Sequence, residues 1–291
     1  MWLILGANGQ LGRCLQETLA RRQMNHAALD RKQCDITDSA AVNSVLTQYA
    51  PEVLVNCAAW TAVDAAEDNA ELAHAVNCIG PRLIARACRE RKVTLVHIST
   101  DYVFSGEEAG SYSEDAPTNP RSTYGRTKQC GEEAVLAEHP NGTYNIRTAW
   151  LYSRHGGNFV KTMLRRALAD TPVQVVADQT GQPTLADDLA EHIVDLVQTK
   201  VPFGTFHGTN SGEATWWNLA REIYDLAHKP ISLVAAVGTD QYPTKAIRPR
   251  NSVLGHNRTL SAGISEMRHW KLALAESVGQ IIAEVEKENL T

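Results

Sequence analysis

The sequence predicts an α/β fold with a doubly wound parallel sheet, and three patterns in its 291 residues lead to that class. Short apolar segments, such as residues 2–5 and 93–98, lack polar alternation, which is typical of parallel strands covered by helices on both faces. Segments with leucines at helical spacing separate these strands in the first half. The alternation implies crossover connections and therefore a parallel sheet. A smaller α/β region follows the first half.

Local signals place each element in chain order. Asp38 is a helix cap, Pro51 ends the helix that begins there, and Pro81 is expected to bend a long helix over 71–92. In the first half we predict strands at 2–5, 26–30, 52–58, 93–100 and 144–152, with helices at 11–22, 38–50 and 71–92. In the second half we predict helices at 158–170, 185–198, 215–228 and 272–288, with strands at 173–178, 204–210 and 231–237.

These elements divide the chain into two predicted domains. Residues 1–155 form the first domain, and a segment near 172–212 is expected to return to it. Residues 156–291 mainly form the second. Because no linker rich in Pro, Gly or Ser separates them, we expect the second part to pack directly onto the first.

Composition excludes several classes of partner. The formal net charge is −5, which argues against nucleic acid or an anionic membrane as a general partner. The sequence contains no run of about 18 apolar residues, so we predict no membrane span. Its start has no basic region or cleavage site, so we expect no signal peptide and a cytoplasmic protein. A homodimer stays open, because nothing in the sequence predicts the oligomeric state.

The six cysteines show no C-x-x-C spacing, and several lie in apolar segments. This pattern predicts reduced, buried thiols rather than a disulfide framework or a zinc site.

A glycine-rich segment, GANGQLG at residues 6–12, joins the first predicted strand to the first helix. Residues without Cβ let the backbone approach a pyrophosphate at the unpaired N–H groups of a helix N-terminus. A tight turn without a ligand would also use glycines, but the position in an alternating α/β chain favours dinucleotide binding. Gly6, Gly9 and Gly12 are therefore candidate cofactor residues of a Rossmann-like domain.

The end of the second strand carries signals for the adenosine half of a dinucleotide. Asp30 lies about 20 residues after the glycine loop, where a carboxylate reads the ribose hydroxyls of NAD. Arg31 and Lys32 follow, and either suits the 2′-phosphate of NADP, so the sequence does not choose between the cofactors. Asp35 and Ile36 are candidates for the adenine pocket, with a plain loop as the equal alternative.

Tyr124 and Lys128 in the segment TYGRTK are four residues apart and share a helix face. An ammonium group near a phenol favours the phenolate, so we expect Lys128 to lower the pKa of Tyr124. Tyr124 would then move a proton while a nicotinamide moves a hydride, and Lys128 would also hold the nicotinamide ribose. Such a pair is often only a solvated face, but Gly125 and Gly131 in the same helix indicate that something lies close to its surface.

Thr100 ends a predicted parallel strand, at the sheet edge where ligands bind in such folds. Its hydroxyl is a candidate to hold a substrate carbonyl oxygen alongside Tyr124. A Ser-Thr-Asp turn without chemistry is the alternative, and the nearby motifs favour catalysis.

A family resemblance runs in order from residue 6 to residue 254. Its segments are GANGQLG, AAWTAVDAAE, STDYVFSG, YGRTKQCGE, RTAWLY, NFVKTML, DQTGQPT and RPRNSVL. Together they resemble the extended short-chain dehydrogenase/reductases, in particular the dTDP-4-dehydrorhamnose reductase family. The resemblance implies reduction of the 4-keto group of dTDP-4-dehydro-L-rhamnose by NADPH or NADH, in the supply of rhamnose for a surface polysaccharide such as O-antigen.

By matching motifs, the resemblance also implies roles for individual residues. The implied catalytic set is Tyr124, Lys128 and Thr100. The implied cofactor contacts, besides the glycines, are Gln10, Leu11, Ala58, Ala59, Trp60 and Thr61. The implied sugar contacts are Val63, Asp101 and Trp150, of which Trp150 is equally a core residue by composition.

The second region then reads as a nucleotide-sugar-binding domain. Arg248, with Asn158 and Lys161, is expected to neutralise a diphosphate. For Arg250, a surface arginine without a ligand is an equally good explanation. Asp178, Gln179 and Pro183 also match the family but have a structural alternative.

Two departures from the family pattern affect the cofactors. The family often has His where Trp60 stands, which changes the wall near the nicotinamide. Magnesium occurs in parts of the family. Asp187 and Asp188, however, lie early in a predicted helix, where carboxylates stabilise the helix N-terminus, and this position explains them without a metal ion. We therefore predict no metal ligands, and Mg²⁺ is not supported by the sequence.

Two alternative functions share this fold. One is a reductase or epimerase of another nucleotide-linked 4-keto-6-deoxyhexose. The other is a non-catalytic binding protein, since a regulatory subunit of eukaryotic methionine adenosyltransferase resembles the same family. The intact Thr100, Tyr124 and Lys128 argue against the second alternative.

Overall fold

The computed structural model describes residues 1–289, and its first half alternates strands with helices as the sequence predicts. A π-helical turn at Ala75–Ile79 and a 3-10 turn at Asp101–Val103 interrupt this alternation. The elements are β1 (Trp2–Leu5), α1 (Gln10–Arg21), β2 (His26–Leu29), α2 (Ser39–Tyr49), β3 (Val53–Asn56), α3 (Val63–Asp68), α4 (Ala70–His74), α5 (Gly80–Arg91), β4 (Thr94–Thr100), α6 (Thr123–Glu138) and β5 (Thr143–Thr148).

The second half contains shorter strands and two further 3-10 turns, at Ile231–Leu233 and Thr239–Gln241. Its elements are β6 (Leu151–Tyr152), α7 (Phe159–Leu168), β7 (Val173–Val176), β8 (Thr180–Gly181), β9 (Thr184–Leu185), α8 (Ala186–Thr199), β10 (Gly204–His207), β11 (Ala214–Thr215), α9 (Trp216–Leu226), β12 (Val234–Val237), α10 (Asn257–Ser261) and α11 (Trp270–Glu288).

Within residues 1–289, six strands form one parallel sheet in the order β10-β5-β4-β3-β1-β2. The strand order reverses between β1 and β3, so the crossover helices cover both faces. α1 and α8 contribute to one apolar core, and α2 and α5 contribute to the other. The predicted α/β class is confirmed, and the carboxyl ends of β1, β3 and β4 meet at one edge of the sheet.

The segment predicted to return to the first part does so through α8 and β10, while β7 pairs in parallel with β12 instead. A separate apolar core forms between α7, α9 and α11. The return therefore begins later than residue 172, because β7 belongs to a small sheet of the second part. The exact domain division at residue 155 stays a prediction.

Two predicted elements are interrupted. The strand over 144–152 breaks into β5 and β6, because Trp150 adopts a left-handed backbone with φ of 44°. The helix predicted over 71–92 contains the π turn at Ala75–Ile79. Pro81 lies in the first turn of α5, where a proline is compatible with helical geometry. The irregularity thus comes before the proline, at the residues that face α6.

The prediction of six reduced thiols is wrong for two of them. Cys78 in the π turn and Cys130 in α6 form a disulfide across 52 residues, with Cα atoms 5.2 Å apart. The sequence spacing could not reveal this pair, because only the packing of α6 on the π turn brings the two side chains together. Cys14, Cys34 and Cys88 are buried free thiols, and Cys57 is a partly buried one.

No helix among residues 1–289 combines the length and apolar composition that a membrane crossing requires.

Candidate active site

The glycine loop passes so close to its neighbours that two of its positions exclude a side chain. A Cβ on Gly6, whose φ is +87°, would lie 2.7 Å from the backbone nitrogen of Ala58, and one on Gly12 would lie 2.3 Å from the Gly6 carbonyl oxygen. Gly9 caps α1 without a side-chain hydrogen bond. This geometry leaves the first turn of α1 accessible to an anionic group, as a dinucleotide pyrophosphate requires.

A cavity of about 460 Å³ extends from this loop across the ends of β1, β2 and β3. Most of the predicted cofactor residues line it, whereas Asn8, Cys34, Cys57 and Val76 are lining residues that the sequence did not single out. The lining residues are Gly6, Asn8, Gly9, Asp30, Arg31, Lys32, Cys34, Asp35, Ile36, Cys57, Ala58, Ala59, Trp60 and Val76.

The end of β2 carries both charges that bear on cofactor choice. Asp30 accepts hydrogen bonds from the Asn8 amide at 3.1 Å and from the backbone nitrogen of Lys32 at 2.9 Å. Arg31 is exposed and lies 3.5 Å from a carboxylate oxygen of Asp35. Hydrogen bonds from Thr37 lower the pKa of Asp35, so its carboxylate is turned toward its own loop. These side chains are therefore compatible with either NAD or NADP as the cofactor.

Six predicted cofactor residues lie outside the cavity lining: Gln10, Leu11, Gly12, Thr61, Tyr124 and Lys128. Thr61 is exposed. The side chain of Leu11 is buried in the core, so only its backbone can face a pyrophosphate. The Gln10 side chain accepts a hydrogen bond from Asn158 at 2.9 Å, which links α1 to α7. The roles of these residues stay predictions.

Thr100 and Tyr124 meet at the end of β4. The Tyr124 side chain lies beside that of Thr100, and the Thr100 hydroxyl donates to Asp101 Oδ1 at 3.0 Å. Tyr124 is 8% exposed and packs in a small cluster with Trp60 and Val63. The structure therefore brings the predicted acid, its partner and the predicted sugar contact Val63 into one crevice.

The expected lowering of the Tyr124 pKa is wrong for this structure. Burial raises that pKa to about 12, and the hydrogen bond with Thr100 opposes the increase only in part. Lys128 donates instead to the carbonyl oxygen of Ile98 at 2.6 Å. Burial also lowers the pKa of Lys128 to about 8, while Glu132 opposes that change. Tyr124 consequently keeps its proton at neutral pH, as an acid in ketone reduction must.

The glycines of α6 let the helix approach two backbone segments. A Cβ on Gly125 would lie 2.3 Å from the carbonyl oxygen of Tyr102, and one on Gly131 would lie 2.2 Å from that of Asn77. The close neighbours are therefore the backbones of the 3-10 turn and the π turn rather than the sheet. The Asn77 amide, a contact absent from the sequence prediction, hydrogen-bonds both the backbone nitrogen and the oxygen of Trp60. α6 thus fixes Tyr124 and, through Asn77, the cofactor wall.

Asp101 is 2% exposed beside the reacting hydroxyls. Burial raises its pKa to about 6, and hydrogen bonds from Ser252 and Thr100 oppose the increase. Ser252 lies in the loop after β12 and has no signal in the sequence, because only the fold brings it 151 positions back along the chain to Asp101.

Trp150 faces Trp216 in a parallel stack with ring centroids 3.6 Å apart. A Cβ on Gly181 would lie 2.6 Å from the Trp150 ring, so β8 covers the edge of this stack. Trp216 also lines a second cavity of about 270 Å³. The ring pair therefore lies between the end of β5 and that cavity.

The second cavity lies in the second part of the chain and has an apolar wall with one cation. Arg248 donates to both carboxylate oxygens of Asp64 in α3, with the shorter contact at 2.7 Å, and is half-buried. The lining residues are Phe159, Met163, Gln174, Val175, Val176, Gln179, Trp216, Tyr242, Thr244 and Arg248.

Asn158 and Lys161, two predicted diphosphate contacts, are engaged in structural contacts. Asn158 caps α7 and also donates to the Ser153 carbonyl at 2.8 Å. The Lys161 ammonium is fully buried and binds Glu288 at 2.5 Å and the Arg154 carbonyl at 3.1 Å. These contacts favour a role in tying α7 to its neighbours.

The carboxylates early in α8 also have partners. Asp188 accepts from the guanidinium of Arg268 at 2.8 Å and from the Asn210 amide at 2.7 Å, and Asp187 lies 3.6 Å from Arg154. Asp178 accepts from Thr239 at 2.7 Å, and Arg250 is exposed. The contacts of Asp178, Asp187 and Asp188 account for these carboxylates without a metal ion.

The doubly wound sheet, the glycine loop and the Thr100–Tyr124–Lys128 set define a short-chain dehydrogenase/reductase with a nicotinamide dinucleotide site. The chain belongs to the family described as the RmlD substrate binding domain, whose model matches residues 1–282. The family resemblance seen in the sequence is thereby confirmed.

Individual relatives match over nearly the whole chain. A dTDP-4-dehydrorhamnose reductase of Streptomyces griseus is 46% identical, covering 95% of this chain and 92% of the relative. A dTDP-4-keto-6-deoxy-D-glucose reductase of Streptomyces niveus is 45% identical, covering 95% and 96%. The crystal structure of dTDP-4-dehydrorhamnose reductase from Bacillus anthracis in complex with NADP superposes with a TM-score of 0.92 at 38% identity, covering 96% and 98%.

Proposed function

We propose that the protein reduces the 4-keto group of dTDP-4-dehydro-L-rhamnose to give dTDP-L-rhamnose, with NADPH or NADH as the reductant. The observation that carries the proposal is the buried Tyr124 side chain beside Thr100 at the end of β4, packed against Trp60, which lines the first cavity. Family membership and the names of the relatives support the same reaction.

The residues present fit a dinucleotide. Gly6 and Gly12, where a Cβ would collide with neighbouring backbone, let the loop form a cradle at the N-terminus of α1. Asp30 lines the cavity, where it would contact a ribose hydroxyl. In this proposal Trp60 and Ala59 form the wall toward the nicotinamide end, and Lys128 would hold the nicotinamide ribose. The bound cofactor supplies the hydride.

The protein residues supply a proton to the oxygen that becomes the new hydroxyl. Tyr124 holds its hydroxyl proton at the end of β4, where a substrate carbonyl would accept a hydrogen bond from it. The Thr100 hydroxyl, which donates to Asp101, would turn to the same carbonyl oxygen. Because burial raises the pKa of Tyr124 to about 12, this side chain remains protonated until negative charge develops on the substrate oxygen. Lys128, as an ammonium, favours the tyrosinate that then forms.

The second cavity suits the nucleotide of the substrate. Phe159, Trp216 and Val175 offer an apolar wall to a base, and Arg248 offers a cation to the diphosphate. Trp216 lines this cavity and stacks on Trp150, which follows β5, so the sugar would lie against Trp150. Asp101 and Val63 are the further sugar contacts that we propose.

The test is a spectrophotometric assay of the purified protein with dTDP-4-dehydro-L-rhamnose and either NADPH or NADH. The expected result is oxidation of the reduced cofactor in step with formation of dTDP-L-rhamnose, identified by NMR. No cofactor oxidation with either nucleotide would refute the proposal. The assay also measures the cofactor preference, which the side chains at the end of β2 leave open.

A second candidate substrate is dTDP-4-keto-6-deoxy-D-glucose. The observation that favours it is the relative of that name, whose identity of 45% nearly equals the 46% of the rhamnose enzyme. Parallel assays with both sugars distinguish the two, because the larger kcat/KM identifies the preferred substrate. A homodimer and a cytoplasmic location remain predictions.

A further inference from the structure

A second cluster of reactive side chains lies next to the active-site helix and has no role in the proposed reaction. It consists of His74 at the end of α4, Cys78 in the π turn and Cys130 in α6. One ring nitrogen and the two sulfur atoms all lie within 4.8 Å of one another. Cys130 follows Lys128 by two residues, so its side chain points roughly 200° around α6 from the catalytic face.

The backbone around the cluster is held by contacts that do not involve the disulfide. The carbonyl oxygen of Asn77 fills the space that a Cβ of Gly131 would need, and the Asn77 amide donates to Thr127 Oγ1 at 3.1 Å. Asn77 precedes Cys78 by one residue, Gly131 follows Cys130 by one residue, and Thr127 precedes Cys130 by three. Opening the disulfide would therefore leave two thiols facing each other, with the backbone on either side of them held in place.

Two thiolates and an imidazole are ligands that Zn²⁺ prefers. In a tetrahedral zinc site the ligand atoms lie roughly 3.3 to 3.8 Å apart. The three atoms of the cluster already lie within 4.8 Å of one another, so they can reach this spacing once the two sulfur atoms separate. Cys78 is buried, whereas Cys130 is partly exposed and His74 is exposed. The cluster thus has an open side from which an ion and one water molecule can enter.

We propose that, after reduction of the Cys78–Cys130 disulfide, His74, Cys78 and Cys130 bind one Zn²⁺ ion with water as the fourth ligand. A dithiol or a phosphine supplies the two electrons, and the two sulfurs take up two protons as the S–S bond breaks. Zn²⁺ then displaces both thiol protons and accepts the neutral imidazole nitrogen. The ion replaces the disulfide as the link between the segment 70–79 and α6.

The first test uses the wild-type protein alone. The full chain is reduced with a phosphine, freed of it without air, and shown by thiol counting to contain two more thiols than the oxidised protein. Addition of Zn²⁺ is expected to raise the Tm of the reduced protein and to leave that of the oxidised protein unchanged. The proposal is overturned if Zn²⁺ does not raise the Tm of the reduced protein, or raises the Tm of the oxidised protein by the same amount.

The second test assigns the ligands with Co²⁺, whose bonds to thiolates give a charge-transfer absorption. The reduced protein is expected to bind one Co²⁺ with this absorption, and Zn²⁺ should displace it. Cys130→Ser should remove about half of the absorption, and His74→Ala should weaken binding by roughly 10-fold or more. Cys34→Ser, which removes a buried thiol elsewhere, is the matched control. Full absorption in Cys130→Ser would contradict the assignment.

Discussion

Arg248 and Asp64 form an ion pair at 2.7 Å that joins the loop after β12 to the start of α3. The pair connects the second part of the chain to the first beside the proposed nucleotide cavity. Asp64 orients the guanidinium while leaving N–H groups for a further anion, since an arginine carries five donors. The pair therefore places a cation where we propose that the substrate diphosphate binds.

Arg248→Ala is expected to raise the KM for the nucleotide sugar by roughly 10- to 100-fold, because it removes charge-assisted hydrogen bonds to the diphosphate. The dissociation constant of NADPH, measured by fluorescence titration, should change little. Steady-state kinetics at saturating cofactor measure the effect.

Arg250→Ala is the matched control, since this exposed arginine lies two residues away and lines neither cavity described for residues 1–289. Its KM should stay close to that of the wild type. Equal effects of the two substitutions would mean that the loop attracts the substrate by general charge alone.

Tyr124→Phe is expected to lower kcat by roughly 10²- to 10⁴-fold, because it removes the proton donor while keeping the ring. NADPH should still bind, since the glycine loop and the cavity wall are untouched. Tyr144→Phe is a suitable control, because its hydroxyl bonds the Val201 carbonyl in the core. A Tyr124→Phe enzyme with full activity would show that another group supplies the proton.

Much of the cofactor half was predictable because its signals are local. The glycine loop, the Asp38 cap and the spacing of Tyr124 and Lys128 are each contained within a few residues, and the structure places them as the sequence predicts. Hydrophobic runs likewise located the strands of the parallel sheet, because burial on both faces needs continuous apolar residues.

The features that sequence reasoning missed depend on contacts between distant segments. Ser252 reaches Asp101, and Cys78 bonds Cys130, only after the fold is formed. The raised pKa of Tyr124 was missed for a related reason. The spacing to Lys128 predicts proximity, but the degree of burial and the competing carbonyl of Ile98 are properties of packing.

Gly125→Ala tests whether close approach places α6. Its Cβ would lie 2.3 Å from the Tyr102 carbonyl oxygen, so the helix must move or the 3-10 turn must open. We expect the free energy of unfolding to fall by about 1–3 kcal/mol, with a loss of kcat. Urea denaturation and the reductase assay measure the two effects.

Gly279→Ala is the control for Gly125→Ala, because Gly279 is also a helical glycine but has open space around its Cβ position. There the substitution should raise the free energy of unfolding by about 0.5–1 kcal/mol, as expected for alanine in a helix interior. If both variants were stabilised, the contact between α6 and the 3-10 turn would not restrict residue 125.

Asp101→Asn tests the electrostatic cost of the acid beside Thr100. Burial raises the pKa of Asp101 to about 6 from an ordinary value of 3.8, so the folded chain binds this proton more tightly than the unfolded chain does. Stability is therefore lost as the pH rises from about 4 to 6, and the loss, on the order of 2–3 kcal/mol, persists at higher pH.

Asparagine resembles the protonated acid and avoids that loss. Asp101→Asn should accordingly raise the Tm at about pH 7.5, and the gain should shrink toward about pH 4.5, whereas Asp225→Asn, at an exposed position of α9, should show neither effect. A gain independent of pH would instead indicate that packing, and not ionisation, limits stability at this position.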